Sequence, residues 1–276
     1  MNMCESLVKP DCSKPKVMKS QGIQEALISM LADLKSEKKD LITLGIQYIR
    51  YVQNAVLKNI VQSLPNLEKV VLCEEKYSFT PDHFKAATHQ QRKAKEKLTI
   101  SHLRDPDAAI NAATFRKDDI ITTREGKSLI SKFLSANAVD LRIDANVILD
   151  IDSELNLQRI QCQHGEHCTC EYYTTPIRCI FKKSHQQPIV QDLITVSQKK
   201  GEAEMAQIDW LLDERSKLSP SMSACSILTS GDIDAIPIHL YSLSKKWPQV
   251  NGRYSQTVSV ILQKPHKKWT YIMLQT

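Results

Sequence analysis

Apolar residues recur at three-to-four spacing through residues 41–64, at Leu41, Leu44, Tyr48, Val52, Val56, Ile60 and Leu64, before Pro65 and Asn66 end the run. The pattern predicts a long amphipathic helix with one packing face. A shorter helix fits Ile23, Leu27, Met30, Leu31 and Leu34, with a charged connector over residues 35–40. Three short apolar runs read as buried strands, over residues 68–75, 146–152 and 227–230. The first ends in Glu74 and Glu75. The second ends in Asp150, Ile151 and Asp152, and the third runs through Thr229, Ser230 and Gly231 into Asp232 and Asp234. Between the last two strands, Met205, Ile208, Trp210, Leu211 and Leu212 continue a buried helix that Ser219, Pro220 and Ser221 terminate. Beyond it come residues 236–243, a turn at Trp247 and Pro248, and strands over 257–263 and 268–274 whose hairpin closes a sheet edge. Strands that alternate with helices predict an α/β domain with a central, mostly parallel sheet flanked by helices.

Residues 1–20 contain Lys9 before Pro10 and Lys14 before Pro15 and show no periodicity, so they read as a flexible leader. Nothing in residues 1–40 reads as a strand that delivers an Asp. The net charge of +6 permits a polyanionic partner without demanding one. No apolar run approaches the ~20 residues of a membrane span, and the first residues lack a secretory pattern. An intracellular protein is expected, without a membrane partner. Only seven glycines and no glycine-rich phosphate loop argue against a dinucleotide cofactor.

The candidate chemistry is acidic. Glu202 and Glu204 open the helix that follows Lys199 and Lys200, while Asp232 and Asp234 leave the strand that ends in Thr229, Ser230 and Gly231. Each pair has a plain structural reading, as first-turn acids that complement a helix dipole and as a polar turn after a strand. Brought together, four carboxylates repel one another unless a cation lies between them or a proton is shared. Oxygen-only ligands suit Mg²⁺ or Mn²⁺. Two such ions would clamp the attacking and leaving oxygens of a phosphodiester.

The sequence Gly201, Glu202, Ala203, Glu204 opening a helix, followed by a strand and Thr229, Ser230, Gly231, Asp232, Ile233, Asp234, Ala235, resembles the internal region of flap-endonuclease/XPG-type structure-specific nucleases. These form a branch of the PIN-like fold. The resemblance implies a PIN-like/5′-nuclease domain in which Glu202, Glu204, Asp232 and Asp234 bind divalent metal. Gly231 stands where the family usually has an acid. A family strand that ends in Phe-Asp-Gly finds Cys73, Glu74 and Glu75 here, which makes Glu74 the substitute metal ligand; two exposed loop acids are the alternative. The Asp150 and Asp152 pair has no family role and reads as a structural turn.

Downstream of a helix start at Thr80, Pro81 and Asp82, basic residues gather, and Lys85, His89 and Arg92 share one helical face. A solvated helix and a phosphate-binding one both fit. Similar nucleases carry a basic helical arch here, which implies that Lys85 and Arg92 hold the scissile phosphate. Residues 105–198 behave as an insertion. Six Cys and His side chains fall between Cys162 and Cys179 within it. Cys162, Cys168, Cys170 and Cys179 can supply a structural zinc site, with His164 or His167 as alternates; a metal-free hairpin that returns over residues 171–181 is the other reading.

The resulting division is a leader at 1–20, the first part of a nuclease-like domain at 21–104, the insertion with its Cys/His-containing hairpin at 105–198, and the acidic core region at 199–276. The expected activity is Mg²⁺- or Mn²⁺-dependent hydrolysis of 5′-flap or branched DNA, with nuclear residence in a eukaryote. DNA stands ahead of RNA as the partner. A truncated, catalytically impaired module that binds nucleic acid without cutting is the alternative, and a PIN-type ribonuclease is a third.

Overall fold

The computed structural model describes residues 16–23, 30, 39–75, 114–115, 130, 132–153, 157–159, 172–174, 176–193, 203–217, 224–230, 235–246, 249–250, 253–254, 258–263 and 270–273. Eight strands form one sheet: β1 (Lys16–Gly22), β2 (Leu67–Cys73), β3 (Val147–Asp152), β4 (Ile177–Phe181), β5 (Ile189–Asp192), β6 (Ala224–Thr229), β7 (Val258–Gln263) and β8 (Thr270–Met273). Their spatial order is β8, β7, β6, β1, β2, β3, β4, β5. The five strands from β7 to β3 run parallel. β8 pairs antiparallel at one edge, and β4 and β5 form an antiparallel extension at the other. The fold is thus α/β with a mostly parallel mixed sheet, and the hairpin expected to close an edge is present.

Parallel strands bury both faces, which is why β2 and β6 read as nearly continuous apolar runs. On one face lie helix α1 (Leu41–Tyr51), a π-helical turn at Val52–Leu57 and helix α2 (Lys58–Ser63), in unbroken succession. Tyr48, Val52, Leu57 and Ile60 pack there on Val70, Leu72, Leu149 and Ile227. The π turn follows from the apolar spacing. In an α-helix each step of four residues drifts by about 40°, so a stripe at 44, 48, 52, 56, 60 and 64 would wind about 200° around the axis. A wider turn unwinds part of that drift and keeps the stripe on the sheet. Gly45 admits the close approach of Phe133, whose ring a Cβ would strike.

The second face carries helix α3 (Ala203–Ser216), whose Ala203, Ala206, Trp210 and Leu211 pack on Met18, Val71, Cys73, Ala224 and Leu228. Helix α4 (Ala235–Lys246) packs beside α3. Among the described residues, no helix is long and apolar enough to cross a membrane.

Three expectations need correction. The leader ends earlier than its composition suggests, because Lys16–Gly22 forms the strand between β6 and β2. Its own apolar content is slight, but the ladders on both sides and the apolar neighbours supply what the local sequence lacks. The first strand therefore exists, yet it ends in Ser20, Gln21 and Gly22 with no acid. Ile189–Asp192, within the expected polar linker, is the exposed edge strand β5. Asp150 and Asp152 lie inside β3 and are fully buried, so they do not form a turn.

Lys19 lies on the face of Val17, between Val70 and Ile227, with 8% exposure. Burial pushes its pKa down to about 8. Between pH 8 and 10.5 the unfolded chain then holds a proton that the native chain has released, so native stability rises through that window. The span corresponds to about 3 kcal/mol at most. In urea titrations, Lys19→Met is expected to gain its greatest advantage over the native chain below pH 8 and to lose it progressively toward pH 10.5. A pH-independent difference would contradict the assignment.

Candidate active site

The chain runs from β1 to β2 on one side and later places β6 on the other, so the order of the sheet reverses between β1 and β6. Open α/β sheets bind ligands beyond the carboxyl ends of their strands at such a point. Here those ends present Thr229 and Ser230 on β6, Gln21 and Gly22 on β1, Cys73 and Glu74 on β2, and Asp152 on β3. The backbone ladder extends past the strands, since Ile23 N–H donates to Cys73 O at 3.1 Å and Glu74 N–H to Asp152 O at 3.0 Å.

Helix α3 starts over this edge. A Cβ added to Gly22 would stand 3.7 Å from the Ala203 Cβ, so the helix and β1 meet in ordinary contact. One residue on, the half-buried Glu204 accepts a hydrogen bond from Ser230 Oγ to its Oε1 at 2.8 Å. That bond joins the first acidic motif to the head of the second. Asp232 and Asp234 lie in the four residues between Ser230 and Ala235, where α4 begins, and Glu202 immediately precedes α3. Those three acids lie outside the described residues, as do Lys85, Arg92, Cys162, Cys168 and Cys170.

Glu74 is 3% exposed at the end of β2, which excludes the exposed-loop reading for it. Asp152, at 0% exposure, accepts from Trp210 Nε1 to its Oδ2 at 2.9 Å. Two buried acids thus line the same edge as Glu204. Among the described residues, no three His, Cys, Asp or Glu side chains converge as an ion-binding group.

Asp150 has another role. Arg178 Nε and Nη2 each donate to one of its carboxylate oxygens at 2.7 Å, and Lys69 Nζ lies 3.4 Å from Oδ2. Lys69 also donates to Glu214 at the far end of α3, at 2.6 Å. Burial opposes ionisation of Glu214, but Lys69 and Lys217 outweigh it and hold the carboxyl below its usual range. Asp150 therefore ties β3 to β4 directly and, through Lys69, to β2 and the last turn of α3.

The insertion divides between two places. Leu157–Arg159 pairs antiparallel with Tyr172–Thr174, so the segment carrying Cys162, Cys168 and Cys170 leaves and returns at neighbouring points. Cys179 sits in β4, within the main apolar core. Burial, with help from the Asp150 charge, pushes its thiol up to about 12.

Gln207 and His239 did not stand out in the sequence, although each is a polar residue on an otherwise apolar helical face. Gln207 Nε2 donates to Thr229 O at 2.8 Å, and His239 Nε2 donates to Glu204 O at 3.1 Å.

No family model matches the chain, and no curated protein matches it either.

Removing one partner of a buried ion pair strands the other charge. Arg178→Met is expected to lower unfolding stability by about 3 kcal/mol in urea at neutral pH. A loss below about 0.5 kcal/mol would show that Lys69 alone satisfies Asp150.

Proposed function

We propose that this chain is a divalent-metal-dependent phosphodiesterase of the flap-endonuclease type, built on a PIN-like domain and acting on 5′-flap or branched DNA. The observation that carries the reading is the Ser230 to Glu204 hydrogen bond, which joins the first turn of α3 to the exit of β6 at the reversal point of the sheet. Packing of α3 on the sheet brings its first turn to the strand ends, and the Ser230 bond adds a polar contact between the two motifs there.

The donor chemistry fits a hard cation. Glu204 offers carboxylate oxygen beside Ser230, and Glu74 adds another at the end of β2. Glu202, Glu204, Asp232 and Asp234, with Glu74, would hold Mg²⁺ or Mn²⁺. When bound, the ion supplies a Lewis acid and a water of lowered pKa. The carboxylates fix its place, while Lys85 and Arg92 pair with substrate phosphates and orient the backbone.

A second reading, nucleic-acid binding without turnover, draws on β1, which ends in Ser20, Gln21 and Gly22 where the family pattern has an Asp. One assay separates the two. Labelled 5′-flap, single-stranded and duplex DNA, with matched RNA, are incubated with the chain and with Asp232→Ala/Asp234→Ala in Mg²⁺ or Mn²⁺. The expected result is metal-dependent cutting of flap DNA that the double substitution reduces by roughly 100-fold or more. If neither protein cuts while both shift the labelled strands, the binding reading replaces the enzyme. Preferred cutting of RNA would move the assignment to a PIN-type ribonuclease.

A further inference from the structure

Gln207 and His239 are enclosed at 0% and 1% exposure, beside Ala203, Ala206, Trp210 and Leu211 on α3 and Ala235 on α4. An apolar side chain would pack at either position without polar cost, whereas a buried amide or imidazole must be held by hydrogen bonds. Each is held to the acidic motifs. Gln207 Nε2 donates to the carbonyl of Thr229, the last residue of β6. His239 Nε2 faces the carbonyl of Glu204 at 3.1 Å, and because a carbonyl only accepts, that nitrogen carries the proton.

With Ser230 Oγ on Glu204 Oε1, three hydrogen bonds join the first turns of α3 to the end of β6 and to the first turns of α4. They fall on both sides of residues 231–234. Glu204 is gripped twice, at its carboxylate by Ser230 and at its backbone by His239. Gln207 Oε1 is fully enclosed and has no hydrogen-bond partner among the described residues. A buried acceptor left so costs about 1–3 kcal/mol. A sequence selected for stability alone would replace that amide with an apolar residue.

We propose that Gln207 and His239 are positioning residues, a buried clamp that fixes the Glu204 carboxylate beside Ser230 at the exit of β6. The clamp rests on the metal-dependent reading of this edge and deepens it by naming what holds the geometry. Residues that orient ligands from behind commonly govern metal affinity by 10–100-fold, without touching the ion.

Gln207→Met and His239→Leu remove the bonds at nearly constant volume, and His239→Gln restores an N–H near the place of Nε2. Each variant is measured for its thermal midpoint in EDTA, for Mn²⁺ affinity by paramagnetic resonance titration, and for amide hydrogen exchange in peptides spanning residues 201–207 and 230–240. Mn²⁺ affinity is expected to fall by roughly 10–100-fold in Gln207→Met and His239→Leu and to recover in His239→Gln. Exchange over residues 230–234 should quicken by about 10-fold while peptides from β2 and β3 keep their native rates. Unchanged affinity and unchanged local exchange would overturn the clamp, as would acceleration spread evenly over the whole chain. If the native chain takes up no Mn²⁺, the metal reading fails and the exchange data alone decide the clamp, local acceleration upholding it and its absence ending it. Should His239→Leu not fold, Gln207→Met carries the same decision.

Discussion

Helix α3 is bonded to the sheet at three heights by polar side chains, and the placement of the acidic edge depends on that attachment. Its first turn is tied to Ser230, Thr229 and His239, its middle to Asp152 through Trp210, and its last turn to Lys69 through Glu214. Burial of Trp210 and Leu211 supplies more of the attraction, at about 2–3 kcal/mol each, than any single one of these bonds at about 1 kcal/mol. Apolar contact is tolerant of sliding and rotation. The polar bonds are not, because each buried group that slips from its partner loses about 1–3 kcal/mol. Hydrophobic burial thus presses the helix onto the sheet, and the polar bonds set where it stops.

The two ends of α3 use this constraint differently. At one end, Asp150, Arg178, Lys69 and Glu214 form a compact ion-pair group that fastens the antiparallel extension of the sheet to its parallel core. Charges there are matched, so nothing further is required. At the other end Glu204 meets Ser230 at the exit of β6, on the edge that also carries the buried Glu74 and Asp152. The same helix is therefore structural at its last turn and, in the proposed function, chemical at its first.

Elements with strong periodicity were legible in the sequence. The stripe from Leu44 to Leu64 gave the long helix, and the apolar runs at Val70, Leu149 and Ile227 gave three parallel strands. Its strict four-residue spacing also contained the π turn, although only rotation around a real helix exposes that consequence. β1 was illegible because a central strand borrows its apolar surroundings from both neighbours, which leaves room for Lys16, Lys19 and Ser20. The register of the sheet was equally hidden, and with it the distinction between Asp150, matched by Arg178 on the next strand, and Asp152, matched by Trp210 from a helix nearly sixty residues on. The place of Glu204 in the first turn of a helix was legible from its motif. Gln207 and His239 required knowledge of which helical faces are buried, since an amide or imidazole becomes conspicuous only when its surroundings are apolar.

The central claim is that the edge where α3 meets β6 and β1 holds a divalent cation through oxygen ligands. Anomalous diffraction from crystals soaked in Mn²⁺ tests it most directly. The account predicts a manganese peak about 2–2.5 Å from carboxylate oxygens of Glu204 and of Asp232 or Asp234. A structure in which those carboxylates are ordered and bear no manganese, while the ion sits elsewhere or nowhere, would contradict it.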